Sequence, residues 1–244
     1  MSLIELATGA GVTAGIAATW VNGALRPQSQ IFGRTLISGN DPREVALTYD
    51  DGPNDCPKAA CTEALLEVLA RHNVRATFFM IGSFVRQRPG LARKVHAAGH
   101  LVGNHTVTHP WLAWQSARRI RNELRGCNDA LEDALGAPVH YFRPPHGARR
   151  PLVLRIAAEL GLTTVQWNAM GMDWNPIPAE QIVANVNRGI SRARRSGRGS
   201  NVLLHDGYHA TLGADRSQTV RATDLLLQRF AQDGSRAVTV DAWK

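Results

Sequence analysis

The sequence predicts an α/β fold: a distorted, incomplete (β/α) barrel with about seven parallel strands. From residue 44 onwards, seven short apolar runs alternate with six amphipathic stretches. The runs are almost continuous in apolar residues, which is typical of parallel strands covered by helices on both faces. A nucleotide-binding sheet would carry a Gly-rich phosphate loop after its first strand, but "DDGPN" stands there instead. A barrel fits better, and barrels place their chemistry at the carboxyl ends of their strands.

We assign the elements in chain order from the length of each run and its flanking turn residues. The predicted strands are EVALTY, RATFFMIG, HLVGN, VHYFR, TTVQWN, NVLLH and RAVTV. The predicted helices are PKAACTEALLEVLARHN, PGLARKVHAAG, WQSARRIRNELRGCNDALEDALG, RRPLVLRIAAELG, PAEQIVANVNRGISRARRS and SQTVRATDLLLQRFAQDG. No Pro- or Ser-rich linker divides them, so residues 41–244 are predicted to form one domain.

The first 40 residues are predicted to be an apolar extension and a candidate membrane anchor. The segment "MSLIELATGAGVTAGIAATWVNGAL" is rich in Gly and Ala, lacks the basic lead-in of a signal peptide and contains Glu5. It is marginal as a membrane span because glycines and an acid reduce its hydrophobicity. Export or envelope association through this segment and a cytoplasmic location both stay open.

The net charge and the basic stretches indicate which classes of partner to expect. A net charge of +8 favours anionic surroundings such as a cell envelope or a membrane surface. The basic stretches "ARRIRNELR" and "GISRARRSGRGS" are predicted to be solvated helix faces, and no RNA-binding signature accompanies them, so no nucleic-acid partner is predicted.

Cys56, Cys61 and Cys127 form no disulfide framework, and we expect them to be structural thiols. The oligomeric state is left open.

Polar clusters follow five of the predicted strands. They are "DDGPN", "NHTVTHP", "RPPHG", "WNAMGMDWNP" and "HDG". The carboxyl ends of parallel barrel strands lie on one face, so we expect these clusters to line one pocket. Five remaining histidines have no comparable context and are interpreted as surface or structural residues: His72, His96, His100, His140 and His209.

The motif "HTVTH" predicts part of a metal site. One helical turn would aim His105 and His109 the same way, and a carboxylate from another strand end would complete two nitrogens and one oxygen. Such a site acidifies water enough to supply hydroxide near neutral pH. One of Asp50 and Asp51 can then bind the metal while the other takes the proton. Successive strand residues point to opposite faces, so the chain must bend there, and we attribute the bend to Gly52 and Pro53.

Three further polar residues fit an acid–base role. Arg143 can hold the free aspartate in its charged form through a charge-assisted pair. Asp173 can orient a histidine and raise its pKa, and His205 is the expected recipient. A protonated His205 could donate a proton to a leaving amine.

With these residues assembled, the chain resembles the polysaccharide deacetylase family (NodB-homology domain, carbohydrate esterase family 4). "TYDDGP", "HTVTH", "RPPHG", "DW" and "LLH" match its five motifs in order, over residues 44–240. The resemblance implies a distorted (β/α) barrel in residues 41–244 and metal-dependent removal of acetyl groups from N-acetylated glycans, such as chitin oligomers or peptidoglycan. It implies one divalent ion, with zinc expected ahead of cobalt, nickel or manganese.

The resemblance also implies roles by position. Asp50 resembles the catalytic base, with Asp51, His105 and His109 as metal ligands. Arg143 resembles the residue that positions the base, and His205 the general acid with Asp173 as its partner. The residues that resemble the substrate-binding wall are Leu203, Trp174, Pro145 and His146. The third motif usually has an aromatic residue, often Tyr, where this chain has His146, and Tyr49 replaces the commoner Phe.

Two other functions stay open alongside the deacetylase. O-acetyl xylan esterases share the five motifs, so the motifs do not separate amide from ester substrates. A non-catalytic glycan-binding module is expected to have lost the base or a metal ligand, and this chain keeps all of them.

Overall fold

The structure, a computed structural model, describes residues 17–56 and 61–243. These residues form one parallel sheet with the strands β1 (Glu44–Gly52), β2 (Thr77–Met80), β3 (Leu101–Asn104), β4 (Tyr141–Phe142), β5 (Thr163–Thr164), β6 (Ala169–Met170), β7 (Ser200–His205) and β8 (Arg236–Val238). The helices around it are α1 (Thr62–Arg71), α2 (Gly82–Gln87), α3 (Pro89–Ala97), α4 (Ala117–Leu135), α5 (Pro151–Glu159), α6 (Ala179–Arg195) and α7 (Ser217–Asp233).

Seven strands follow one path in the order β5-β4-β3-β2-β1-β7-β6, and all their pairings are parallel. Within the described strands, β5 and β6 do not pair with each other, so the barrel is open between them. The short β8 pairs with the first residues of β1, before β2 begins its own pairing. The predicted incomplete (β/α) barrel with seven parallel strands is confirmed.

Two elements differ from the prediction. The run TTVQWN forms only the two residues of β5, because Val165 bridges to Leu36 and the Gln166 amide donates to the Leu36 carbonyl. The chain then re-enters the sheet as β6, beside β7. The predicted strand RATFFMIG ends at Met80, and α2 begins two residues later.

The faces of β1 explain why it is apolar yet ends in acids. Val45, Leu47 and Tyr49 are buried in the main core, which includes helix residues such as Leu65 and Phe230. The alternate residues of β1, which include Thr48, face the inside of the curled sheet. Both faces are therefore buried, as the continuous apolar run predicted. The inner face carries polar side chains towards the carboxyl ends of the strands, where the pocket lies.

Part of the N-terminal extension is tied to the domain by Arg149, which is fully buried. Its guanidinium donates to the carbonyl oxygens of Arg26 at 2.9 Å, Pro27 at 3.2 Å, Ser29 at 2.6 Å and Gly147 at 3.0 Å. No helix among the described residues is long and apolar enough to cross a membrane. Of the candidate anchor, residues 1–25, the first 16 lie outside the described residues, so the anchor stays a prediction.

We expect Arg149→Met to lower the free energy of unfolding by about 2–4 kcal/mol. The change leaves buried carbonyl oxygens without donors, and each such group costs about 1–3 kcal/mol. Urea unfolding measures the difference. Arg155→Met, the same change on an exposed position of α5, is the control and should stay within about 0.5 kcal/mol. An Arg149→Met loss no larger than that of the control would contradict a stabilising clamp.

The cysteine prediction is wrong for two of the three residues. Cys56 and Cys61 form a disulfide with a Cα–Cα distance of 6.1 Å, whereas Cys127 is free and buried. The two cysteines are five residues apart in the sequence. A spacing that fits no metal knuckle did not exclude a local disulfide.

Candidate active site

The predicted clusters converge on one pocket of about 460 Å³ at the carboxyl ends of the strands. Eight of the residues singled out from the sequence line it: Asp50, Asp51, His105, His109, His146, Trp174, Leu203 and His205. Trp167, Tyr208, His209 and Arg216 complete the lining. Arg143 and Asp173 are buried behind this wall and act on it through hydrogen bonds.

The two adjacent aspartates reach the same pocket because β1 is irregular at Asp51. The pairing with β2 shifts between Asp50 and Gly52, and Asp51 has a φ of 72°. A regular strand would turn Asp51 towards the helices, since successive side chains alternate. The bend was expected at Gly52 and Pro53, but it begins one residue earlier, at an aspartate in the left-handed region. Aspartate tolerates that region better than most residues.

Asp51, His105 and His109 form a group that can hold a divalent metal ion. Their candidate ligand atoms all lie within 4.8 Å of one another. Asp51 Oδ1 lies 3.5 Å from His105 Nε2 and 3.3 Å from His109 Nε2. This oxygen is buried and accepts no hydrogen bond from a described residue. A buried carboxylate oxygen that faces two imidazole nitrogens and has no other partner suits a divalent cation, because such an oxygen is costly without a partner.

The electrostatics of the group suit metal binding. Burial lowers the pKa of His109 to about 2, with a further contribution from His105, so the ring stays neutral as a ligand must. Burial alone would raise the pKa of Asp51, but the neighbouring imidazoles of His105 and His209 hold it well below its usual value. His105 Nδ1 lies 2.8 Å from the Arg143 carbonyl oxygen, which fixes the ring so that Nε2 faces Asp51.

The two motif histidines are brought together by a loop rather than by the helical turn that we expected. Thr106 and His109 have φ values of 67° and 58°. Asn104 Oδ1 accepts from the Thr106 amide at 2.8 Å, and Thr106 Oγ1 accepts from the His109 amide at 3.0 Å. The buried Glu123 carboxylate accepts from the two amides between them. Side chains thus replace the backbone hydrogen bonds that a helix would have supplied.

Arg143 connects Asp50 to the inner face of the sheet. Its Nη1 donates to Asp50 Oδ1 at 2.8 Å and to Thr48 Oγ1 at 2.7 Å, and its Nη2 donates to Asn201 Oδ1 at 3.1 Å. The guanidinium carbon lies 4.3 Å from the centroid of the Phe79 ring. A fully buried ion pair is held in one geometry, so the Asp50 carboxylate is fixed by its partner.

Asp173 and His205 form a second buried ion pair. Asp173 Oδ1 lies 2.9 Å from His205 Nδ1, while Oδ2 accepts from the His205 amide and from Thr219 Oγ1, both at 2.8 Å. Burial alone would lower the pKa of His205, but the charge and hydrogen bond of Asp173 outweigh it and raise the pKa to about 9. A histidine with this pKa is protonated at neutral pH and can act as a proton donor.

Three of the four residues predicted to contact substrate line the pocket. Leu203, Trp174 and His146 line the pocket, whereas Pro145 is buried beneath it and does not. His146 has a φ of 57°, and its ring stacks on Trp111 with centroids 4.0 Å apart. The amides of the next two residues bond back within the turn. The turn therefore orients the His146 amide independently of its side chain.

His209, interpreted from the sequence as a surface or structural residue, is exposed and also lines the pocket. Its Nδ1 lies 3.8 Å from Asp51 Oδ2, and its ring stacks on His109 with centroids 4.5 Å apart. His209 lies in the loop after β7, four residues after His205. The two histidines of "HTVTH" have the same spacing. Applying the same criterion to "HDGYH" would have found it.

Comparisons with known proteins identify relatives of this chain. A family model described as polysaccharide deacetylase matches residues 38–165. The chain is 37% identical over 205 residues to a chitooligosaccharide deacetylase of Bradyrhizobium sp. (strain ANU 289), covering 81% of this chain and 88% of that protein. It is 35% identical over 199 residues to the peptidoglycan-N-acetylglucosamine deacetylase PgdA of Listeria monocytogenes, covering 82% of this chain and 38% of that protein.

A crystal structure extends the likeness to the fold. The Bc1960 peptidoglycan N-acetylglucosamine deacetylase has a TM-score of 0.76 and 30% sequence identity, and the match covers 92% of this chain and 95% of that one. Fold, pocket and relatives together define a hydrolase of carbon–nitrogen bonds in linear amides. The chain belongs to the polysaccharide deacetylase family, which confirms the family predicted from its five motifs.

Proposed function

We propose that the protein removes acetyl groups from the N-acetylglucosamine residues of a glycan, either chitin oligomers or peptidoglycan. The observation that carries the proposal is one pocket that holds an arginine-paired Asp50, a group that can bind a metal and a His205 paired with Asp173. The relatives named for these two substrates support the substrate class. The pocket at the strand ends is large enough to admit a sugar residue.

The chain's own residues divide the chemistry among them. Asp50, held by Arg143, accepts the proton of the attacking water. The amide N–H of His146 donates to the oxygen that becomes negative in the transition state, as backbone donors do in other acyl-transfer sites. His205, held by Asp173, donates a proton to the departing amine. Leu203 and Trp174 pack around the acetyl methyl group and exclude water from it.

We propose zinc as the ion held by Asp51, His105 and His109. Two imidazole nitrogens and one carboxylate oxygen suit zinc, and an open position for water or substrate is typical of its catalytic sites. When bound there, the ion supplies a Lewis acid that lowers the pKa of water and polarises the acetyl carbonyl.

An acetate-release assay tests the proposal directly. Purified protein is stripped with a chelator, reloaded with zinc, cobalt, nickel or manganese, and given chitooligosaccharides, peptidoglycan or acetylated xylan. We expect acetate from the GlcNAc substrates only in the loaded protein. Acetate from xylan alone would favour the esterase, and binding without acetate from any substrate would favour a glycan-binding module.

We expect His146→Tyr to keep most of its deacetylase activity. Only the backbone N–H of this residue serves the reaction, and its orientation is set by the turn rather than by the imidazole. The substitution can shift the chain-length preference, because the ring stacks beside the pocket on Trp111. The measurement is kcat/KM for acetate release from chitooligosaccharides. A loss of more than about a hundredfold would point to a catalytic side chain instead.

A further inference from the structure

An aromatic surface adjoins the pocket on the side of His146. Trp114 is 63% exposed, and its ring centroid lies 4.9 Å from that of Trp20. Phe32 meets Trp20 edge-on, with centroids 6.2 Å apart. We call Trp20, Phe32 and Trp114 the aromatic shelf. Two of its three residues come from the N-terminal extension, and no role in the chemistry described above uses them.

A short turn of the chain connects the shelf to the pocket. Trp111 and Trp114 lie at the two ends of one short turn, joined by a hydrogen bond from the Trp114 amide to the Trp111 carbonyl at 3.1 Å. Trp111 is itself 45% exposed and stacks on His146, which lines the pocket. One short turn of the backbone therefore joins Trp114 of the shelf to Trp111, whose ring stacks on the pocket residue His146.

The extension that supplies the shelf is held in place. The Arg149 guanidinium bonds to the carbonyl oxygens of residues 26, 27 and 29, and the Arg149 amide donates to the Ala24 carbonyl at 2.9 Å. Gly23 lets the Phe32 ring approach, since a Cβ there would lie 2.8 Å from it. The same Arg149 also bonds to Gly147, beside His146. Arg149 therefore holds both the segment that carries Trp20 and Phe32 and the turn that carries His146.

The exposed rings of Trp111 and Trp114, packed beside the half-buried rings of Trp20 and Phe32, suit sugar binding. A pyranose ring presents C–H groups on its faces, and these pack on an aromatic face while the hydroxyl groups at the rim stay hydrated. Contiguous exposed apolar surface on a soluble domain often marks a ligand groove. A flat, rigid tryptophan contributes a large contact area at low cost in side-chain entropy.

We propose that the aromatic shelf is a distal glycan subsite, which binds sugar residues beyond the one being deacetylated. The proposal rests on the proposed function. It makes the N-terminal extension part of substrate recognition, because Trp20 and Phe32 belong to it. The enzyme should therefore prefer long acetylated oligomers over short ones, and the shelf should be the cause of that preference.

The test is a chain-length series on the full chain. We measure kcat/KM for acetate release from GlcNAc oligomers of two to six residues with the unsubstituted protein, Trp114→Ala and Trp20→Ala. Each substitution should lower kcat/KM for the hexamer by about three- to tenfold through KM, the range of one lost aromatic contact, and affect the dimer much less. Trp114→Tyr should restore most of the loss. Val21→Ala, an exposed apolar position of the same segment, should behave as the unsubstituted protein does.

Two further measurements keep the outcomes distinct. Hexamer affinity is measured by calorimetry in an Asp50→Asn background, where Trp114→Ala should weaken binding by the same factor. Binding of all variants to vesicles of anionic phospholipid is measured in parallel.

A chain-length profile that Trp114→Ala leaves unchanged overturns the proposed subsite, and so does an equal loss of kcat/KM at every length. Loss of vesicle binding with an unchanged profile makes the shelf a membrane-docking surface instead. Absence of acetate release from every oligomer by the unsubstituted protein refutes the proposed function itself.

Discussion

Asp51→Asn and Asp50→Asn should inactivate the protein in different ways. Asp51→Asn removes the anionic ligand from the group it forms with His105 and His109, so both bound metal and acetate release should fall. Asp50→Asn leaves that group intact and removes the proton acceptor, which typically contributes a hundred- to ten-thousandfold in rate. Metal content by elemental analysis and acetate release are measured side by side on each variant.

The controls for this pair lie within the same group. His105→Ala and His109→Ala should resemble Asp51→Asn, because each removes one ligand atom. Thermal melting shows whether a variant is folded, and asparagine matches aspartate in size. Complete loss of metal from Asp50→Asn would mean that both aspartates are ligands. Full activity in Asp50→Asn would reduce that residue to a turn former.

Asp173→Asn should shift the pH dependence of deacetylation as well as lower its rate. Asp173 is the partner that raises the pKa of His205 to about 9 against the effect of burial. Without that charge, burial dominates and the pKa of His205 falls. Proton donation requires the protonated ring, so activity is lost as the pH rises through this pKa. The alkaline limb of kcat should therefore move to lower pH, with a rate loss of about a hundredfold or more.

The matched control for the shift is Thr219→Val. Thr219 donates to the same carboxylate, at Oδ2, but it carries no charge and does not touch the imidazole. Its substitution should leave the alkaline limb nearly in place. The profiles are measured with metal content confirmed at each pH. An Asp173→Asn profile that superposes on that of the unsubstituted protein would show that the alkaline limb does not report His205.

Much of the fold was predictable because both its signals are local. Apolar runs of strand length and amphipathic stretches of helix length each depend on neighbouring residues only. The end of β5 at Thr164 and the separate β6 that follows TTVQWN were not predictable, because Val165 is diverted by a bridge to Leu36, far away in the sequence. The disulfide between Cys56 and Cys61 likewise depends on how the chain turns after β1.

For the site, residue types were predictable and backbone conformations were not. The strand-end rule placed Asp51, His105 and His109 in one pocket without any coordinates. It could not show that the histidine loop is non-helical, since that shape depends on Glu123 in a helix that follows. His209 lines the pocket from the loop after β7, and the four-residue spacing in "HDGYH" was the sequence signal that could have indicated it.

The shift in β1 at Asp51 makes the length of this strand as important as its composition. Asp50 faces the pocket because it lies two residues after Thr48 and so points to the same face of β1. The Asp51 side chain reaches the pocket only because the pairing of β1 with β2 becomes irregular after Asp50. Inserting or deleting one residue between Val45 and Tyr49 would keep every catalytic side chain in the sequence. It would nevertheless exchange the two faces of the strand, burying an acid against the helices. A search for active relatives should therefore require the number of residues between the apolar run and the acid pair, and not only the pair itself.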